Sequence, residues 1–451
     1  MHMVKQIHAS DFGNDFKWGV AISAPQNEGA ALEDGRSLSI WDVFAKRQTA
    51  IEGRAKPTHC SNFYHRYKDD LLLAKALGFN HFRFSISWSR ILPEGIGKPN
   101  KKGIAFYHAV IDECLKIGLE PVVTLYHWDL PQALEKNGGW TSHQMLKWFS
   151  KFTQLCATEF GQKVKQWIVM NEPFGFTSLG YMLGKHAPGK MGLSNFFPAI
   201  HNAAMCTAEG GRILRSEVPH AHIGSSFSCS EVMPHTLQEK DVLAAAKSDV
   251  LLNRLLLEPV LGLGYPHMEN FQFLEKLHLH TKSWRYQQQM AFDFDFIGIQ
   301  NYFAVTVKNN NLIPYLQASE VTAKSRKVPH TQLGWEINPE SFNRMLHRIW
   351  NYGNIPEIIV TEGGAYFKDV FQNGVINDQQ RIDYFKQYLG AVLKAKNDGV
   401  NISGYYAWTL TDNFEWAFGY NARFGLIHVD FATQLRTIKQ SGYWFRDFLQ
   451  T

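Results

Sequence analysis

The sequence predicts an α/β protein: a single (β/α)8 barrel, a TIM barrel, spanning residues 1–451, with its working groups at the C-terminal ends of the strands. Three observations lead there. Short apolar runs alternate with amphipathic stretches along the whole chain, with no long linker, repeat or low-complexity segment between them. The apolar runs are continuous rather than alternating, as in strands covered on both faces. Nearly every run ends in polar, charged or aromatic residues, and in this fold catalytic groups stand where the strands finish.

In order, the predicted strands are 16–21, 79–86, 120–126, 166–170, 221–227, 294–299, 357–360 and 402–408. Between them, 3.6-residue periodicity predicts helices over 69–77, 104–117, 144–160, 200–215, 341–352 and 378–396. Eight units at about 56 residues each suit a barrel with insertions. An open doubly wound sheet is the alternative, but it would bring a glycine-rich phosphate loop after an early strand, and none is present.

Composition narrows the function. The chain is 45% apolar and 19% charged, which is enough to bury a large core. No run approaches 18 uncharged apolar residues, so no membrane helix is expected. The net charge of +5 is small, and the brief basic stretch Lys98–Lys102 reads as a solvated loop, so no nucleic-acid partner is expected. Five scattered cysteines (Cys60, Cys114, Cys156, Cys206, Cys229) form no zinc-ligand spacing and suit a reducing, cytoplasmic compartment. The N-terminal Met1–Gln6 lacks the apolar stretch of a secretion signal. Neither metal nor cofactor is called for. Aromatic residues make up 14%, with thirteen Trp, more than core filling alone requires.

The strand ends carry the chemistry. The second strand runs into Arg83, the third into His127-Trp128-Asp129, and the fourth into Asn171-Glu172-Pro173. The sixth ends at Gln300-Asn301-Tyr302, the seventh at Thr361-Glu362-Gly363, and the eighth at Trp408, with Glu415-Trp416 soon after. Taken alone, Glu172 or Glu362 reads equally as a helix cap or an arginine partner. Two such carboxylates across one mouth are what glycosidic-bond cleavage requires, one protonated and one ionised. Arg83 and Tyr302 can approach Glu362 and keep it charged, which makes it the nucleophile and Glu172 the acid/base. Asn171 supplies an amide for a sugar hydroxyl.

These residues, and motifs from Phe16-Lys17-Trp18-Gly19 to Ser441-Gly442-Tyr443-Trp444, resemble glycoside hydrolase family 1, the β-glucosidase family of retaining (β/α)8 enzymes. The resemblance implies the same split: the Glu of its Asn-Glu-Pro triplet is Glu172, and the Glu of its Thr-Glu-Asn-Gly motif is Glu362. It further implies a sugar pocket. Gln26 and Glu415 would hold the 4-hydroxyl, Gln26 also the 3-hydroxyl and Glu415 also the 6-hydroxyl. His127 and Trp416 would meet the 3-hydroxyl, with Trp128 beside them, and Asn171 the 2-hydroxyl. Trp408 would be the stacking platform, Phe424 the wall near carbon 6, and Trp335 the aglycone lining.

Three departures stand out: Gly363 in place of Asn, Gln300 where Asn is frequent, and an unusual Ile51–Cys60 segment. The phospho-glycosidase branch carries Ser where Glu415 stands, with Lys and Tyr nearby, so an unphosphorylated β-glycoside is expected. Small β-glycosides or short oligosaccharides would be the partners, cleaved by double displacement between carboxyls about 5–5.5 Å apart. A transglycosylase using the same carboxylates and a catalytically silent carbohydrate-binding barrel are the alternatives. Gln26 and Glu415 accept either 4-epimer, so glucoside, galactoside and fucoside stay open.

Overall fold

The computed structural model describes residues 7–282, 285–372 and 374–451, and the N-terminal run 1–6 lies outside them. Eight parallel strands form a closed barrel: β1 Lys17–Ala21, β2 His81–Ser85, β3 Glu120–Tyr126, β4 Gln166–Asn171, β5 His222–Ser228, β6 Phe296–Gln300, β7 Ile358–Gly363 and β8 Ile402–Trp408. Each pairs with its neighbour in chain order, and closure comes from Lys17–Ala21 of β1 lying in register with Gly404–Trp408 of β8. The predicted fold and all eight strands are present.

The strands form here because Val, Ile, Phe and Tyr are covered on both faces. Val122, Ile168, Phe296, Ile359 and Tyr406, from five strands, make a small separate cluster in which every member is fully buried. The main core lies between strands and helices, where Val123, Trp167, Val169, Ile358 and Tyr405 pack. That division reflects the two-residue alternation of strand side chains.

Strand and helix ends moved where apolarity stopped being the marker. β7 continues through the polar Thr361-Glu362-Gly363, three residues past the predicted end. The helix expected over 69–77 begins at Phe63, after Asn62 in a left-handed conformation. The one expected over 200–215 runs Leu193–Glu217 and holds Pro198 in its second turn. Three small sheets escaped the reading: the hairpins Val370–Gln372 with Val375–Asn377 and Ile427–Val429 with Arg436–Ile438, and a three-stranded sheet of Val232–Pro234, Val305–Asn309 and Ala318–Glu320. Most of their strands span three residues, too short for periodicity to register. Among the described residues no helix is long and apolar enough to cross a membrane.

Candidate active site

At the C-terminal mouth, Arg83 is the organising cation. It is almost wholly buried, and all three guanidinium nitrogens donate. Nε donates to Thr124 Oγ1 (3.1 Å), Nη1 to Thr361 O (3.0 Å) and Glu362 Oε1 (2.5 Å), and Nη2 to Asn171 Oδ1 (2.5 Å). Tyr302 donates its hydroxyl to the other oxygen, Glu362 Oε2, at 2.7 Å. Glu362 is therefore held on both oxygens, as the sequence leads one to expect.

Asn171 links both sides of the mouth. Its Oδ1 accepts from Arg83 and from Gln300 Nε2 (2.7 Å), while its Nδ2 lies 3.1 Å from His127 Nε2. Burial and the Arg83 charge lower the His127 imidazole well below its usual range, so it is neutral at pH 7. Next in the chain, Glu172 adopts a left-handed backbone (φ 42°) and its N–H donates to Ser226 O at 2.9 Å. Trp128 (φ 78°) and Trp416 (φ 48°) are left-handed too. Non-glycine residues hold such conformations where the surroundings over-determine them, and these cluster at functional sites.

The two carboxylates differ electrostatically. Burial and then the neighbouring Glu362 charge push Glu172 up to about 8, opposed mainly by the Ser228 hydroxyl. Burial also raises Glu362, but the Arg83 charge and the hydrogen bonds from Tyr302, Arg83 and Gln300 oppose it. When one proton is shared between such neighbours, the carboxylate touching the guanidinium keeps the negative charge. Burial and Glu362 likewise push Glu415 up to about 8.

The remaining expected site residues come together around this pair. Gln26 Nε2 donates to Glu415 Oε2 (3.2 Å), and Gln26 Oε1 accepts from Ser23 (2.7 Å). Trp408 lies parallel to His127 at 6.0 Å and packs with Ala21, Ala422 and Phe424. Trp335 stands edge-on to Tyr302 (5.7 Å) and 6.1 Å from Phe424. Trp128 stacks on Trp416 at 4.6 Å, and its indole N–H is committed to Asn171 O (2.9 Å), so it faces its neighbours rather than open space.

Residues absent from the sequence-based site also belong here. Gln300 and Ser228 touch the carboxylate network, and His186 and Trp41 pack against Trp416. Gln300 is named in the sequence at the end of the sixth strand, whereas Ser228 lies one residue past the expected 221–227 strand, in a stretch no motif marks. Behind the mouth, Asp369, Asp412 and His428 gather ligand atoms within 4.8 Å of one another. Lys439 Nζ fills that position, 2.8 Å from Asp369 and 2.9 Å from Asp412. Arg423 adds a bond to Asp412 at 2.8 Å, and Asp412 also accepts from Gly425 N. This cluster braces the loop carrying Glu415, Trp416 and Phe424.

Gly363 has a local cause. A Cβ there would lie 2.3 Å from Tyr405 Oη and 2.8 Å from Cζ, and the Tyr405 ring is fixed in the core. The Gly363→Ala protein should lose about 1–3 kcal/mol of stability by overpacking. Urea denaturation checks this: an unshifted midpoint with unchanged slope would show that the ring gives way freely.

Comparison with known proteins follows the geometry. Residues 8–451 match the sequence profile of Glycosyl hydrolase family 1. The chain is 37% identical to Beta-glucosidase A of Thermotoga maritima, covering 98% of this chain and 99% of that protein. It is 35% identical to a 6-phospho-beta-galactosidase of Clostridium acetobutylicum, covering 97% and 96%. A solved Thermotoga maritima family 1 glycoside hydrolase, complexed with a cyclophellitol analogue transition state mimic, superposes with a TM-score of 0.94 at 37% identity, covering 97% and 98%.

Proposed function

The chain belongs to glycosyl hydrolase family 1, and from that membership we propose that it is a retaining β-glycosidase for terminal, unphosphorylated β-glucosides, extending to β-galactosides and β-fucosides. The single observation that carries the reading is the unequal setting of two buried carboxylates. Glu362 is clamped by Arg83 and Tyr302, whereas Glu172 is raised to about 8 and holds a proton at neutral pH.

Glu362 attacks the anomeric carbon as Glu172 passes its proton to the departing oxygen. A covalent glycosyl-enzyme results, and its formation removes the Glu362 charge that had raised Glu172. Glu172, now ionised, takes a proton from water, and that water releases the sugar with retained configuration. Arg83, Tyr302 and Asn171 position these groups. Gln26, His127, Asn171, Glu415 and Trp416 meet the hydroxyls, Trp408 and Phe424 the ring and carbon 6, and Trp335 the aglycone, while Trp128 steadies Trp416. Gln26 and Phe424 come from opposite ends of the chain, which supports reading all 451 residues as one catalytic unit. Five free, buried cysteines support a reducing, cytoplasmic setting.

Because relatives include a 6-phospho-enzyme, the phosphate question turns on nearby cations. Arg423 is committed to Asp412 and to Val429 O, and Lys439 to Asp369 and Asp412. Phe424 has no hydroxyl to offer, and Glu415, itself an acid, supplies no positive charge to attract an anion. The kcat/KM for 4-nitrophenyl β-glucoside should exceed that for its 6-phosphate by roughly a hundredfold or more. Equal values would sink the unphosphorylated assignment. Product analysis at high substrate concentration separates hydrolysis from sugar transfer.

A further inference from the structure

The loop 413–424, which carries Glu415, Trp416 and Phe424, is closed at a narrow neck. Asp412 N donates to Ile427 O, Leu426 N to Thr409 O and Ile427 N to Leu410 O, each at 2.9 Å. The Asp412 carboxylate closes the same neck through its side chain. Its Oδ1 accepts from Gly425 N (3.0 Å), and its Oδ2 from Arg423 Nη1 (2.8 Å) and Val429 N (3.4 Å). Lys439 Nζ donates to Oδ1 as well, at 2.9 Å.

Lys439 alone among these partners comes from outside the loop and its flanks. It stands directly before the last helix, Gln440–Phe448, and its N–H donates to Leu426 O at 2.9 Å, which ties its backbone to the neck. Its side chain and that of Asp412 are fully buried. Nζ also lies 2.8 Å from Asp369, in the segment that follows the nucleophile strand β7. One ammonium therefore stands between two carboxylates from different loops. Asp369 has a second cation in Arg381 (3.4 Å), and Arg381 also donates to Ala365 O (3.1 Å), so the nucleophile side is held without Lys439. The Glu415 side depends on it more. Burial opposes ionisation of Asp412, and the Lys439 charge, ahead of that of Arg423, holds its carboxyl below the usual range. Without the ammonium, two buried carboxylates would face each other, and their repulsion would drive Asp412 and its loop away from Asp369.

We propose that Lys439 is a positioning residue for substrate specificity: its ammonium, a fixed internal cation between Asp369 and Asp412, holds loop 413–424 where Glu415 and Phe424 meet carbon 6 of the sugar. This rests on the reading of Glu415 and Phe424 as the contacts at that carbon.

The test is the ratio of kcat/KM for 4-nitrophenyl β-glucoside to that for 4-nitrophenyl β-xyloside, which lacks carbon 6 and its hydroxyl. Enzyme concentration cancels in this ratio, so a loss of folded protein leaves it unmoved. Lys439→Met, of similar length but uncharged, should lower the ratio by about tenfold, the weight of one ordinary hydrogen bond. Lys439→Arg, which keeps the charge, should restore most of it. Asp412→Asn keeps the shape of the carboxylate and loses its charge. It should lower the ratio too, and it carries the test where Lys439→Met does not fold. A ratio unchanged in Lys439→Met or in Asp412→Asn, or one that falls as far in Lys439→Arg, overturns the proposal. A parent with no preference for glucoside over xyloside would instead overturn the carbon-6 contacts on which the role depends.

Discussion

Glu362→Ala should lower kcat for 4-nitrophenyl β-glucoside by roughly 10⁶, the scale seen when a covalent nucleophile is removed. The groups that hold it cannot take over: Arg83 and Tyr302 are donors aimed at the Glu362 oxygens. Sodium azide fits the vacated space and attacks from the same face, so activity should return with an α-glycosyl azide as product. The stereochemistry is the decisive readout, by proton NMR of the anomeric signal. Near-parental turnover, or a β-azide, would remove Glu362 from the nucleophile's role.

Glu172→Gln should separate substrates by leaving group. For alkyl β-glucosides kcat/KM should fall by about 10²–10⁴, the usual contribution of general acid catalysis. For 2,4-dinitrophenyl β-glucoside, which departs without a proton, glycosylation should be nearly unchanged. Azide should then yield a β-glycosyl azide, because it takes the place of water on the opposite face from Glu362. The parent's kcat/KM should fall above about pH 8, where Glu172 loses its proton, and the variant should lack that alkaline limb. Stability carries the same signature. A carboxyl raised from an ordinary value near 4.3 favours the fold when protonated, and that contribution fades as pH climbs toward 8. Glu172→Gln should therefore melt higher than the parent at pH 8 and little differently at pH 4. A lower Tm at pH 8 would contradict the buried, protonated state.

Much of this was legible because the fold and the site announce themselves at the same places. Continuous apolar runs mark strands buried on both sides, and after the fourth and seventh runs the first charged residue, Glu172 or Glu362, is the one at the mouth. Glu172 and Glu362 needed no more than that, and Arg83 could be paired with Glu362 from charge alone. What stayed hidden depends on distances no local pattern encodes. His186 reaches Trp416 from a loop more than two hundred residues away in sequence. Trp128 reads as a sugar contact by its place beside His127, yet its indole N–H is already committed to Asn171. Gly363 looks like a loss beside the nucleophile until Tyr405, on the adjoining strand, is found occupying the space.

The in-register seam between β1 and β8 closes the barrel between its first and last strands. Ala9 N donates to Thr451 Oγ1 at 3.1 Å, and Phe448 packs edge-on against Trp18 at 5.3 Å, so the residues ahead of β1 meet the last helix on one side of the barrel. Where synthesis begins is then an accident of order rather than a demand of the architecture. During translation, however, that accident has force: Trp408, Glu415, Trp416 and Phe424 leave the ribosome after the other site residues, and strand β1 must wait for its partner. A circular permutant joined across the old ends and opened at an exposed loop would make those aromatics early while preserving the same enclosure.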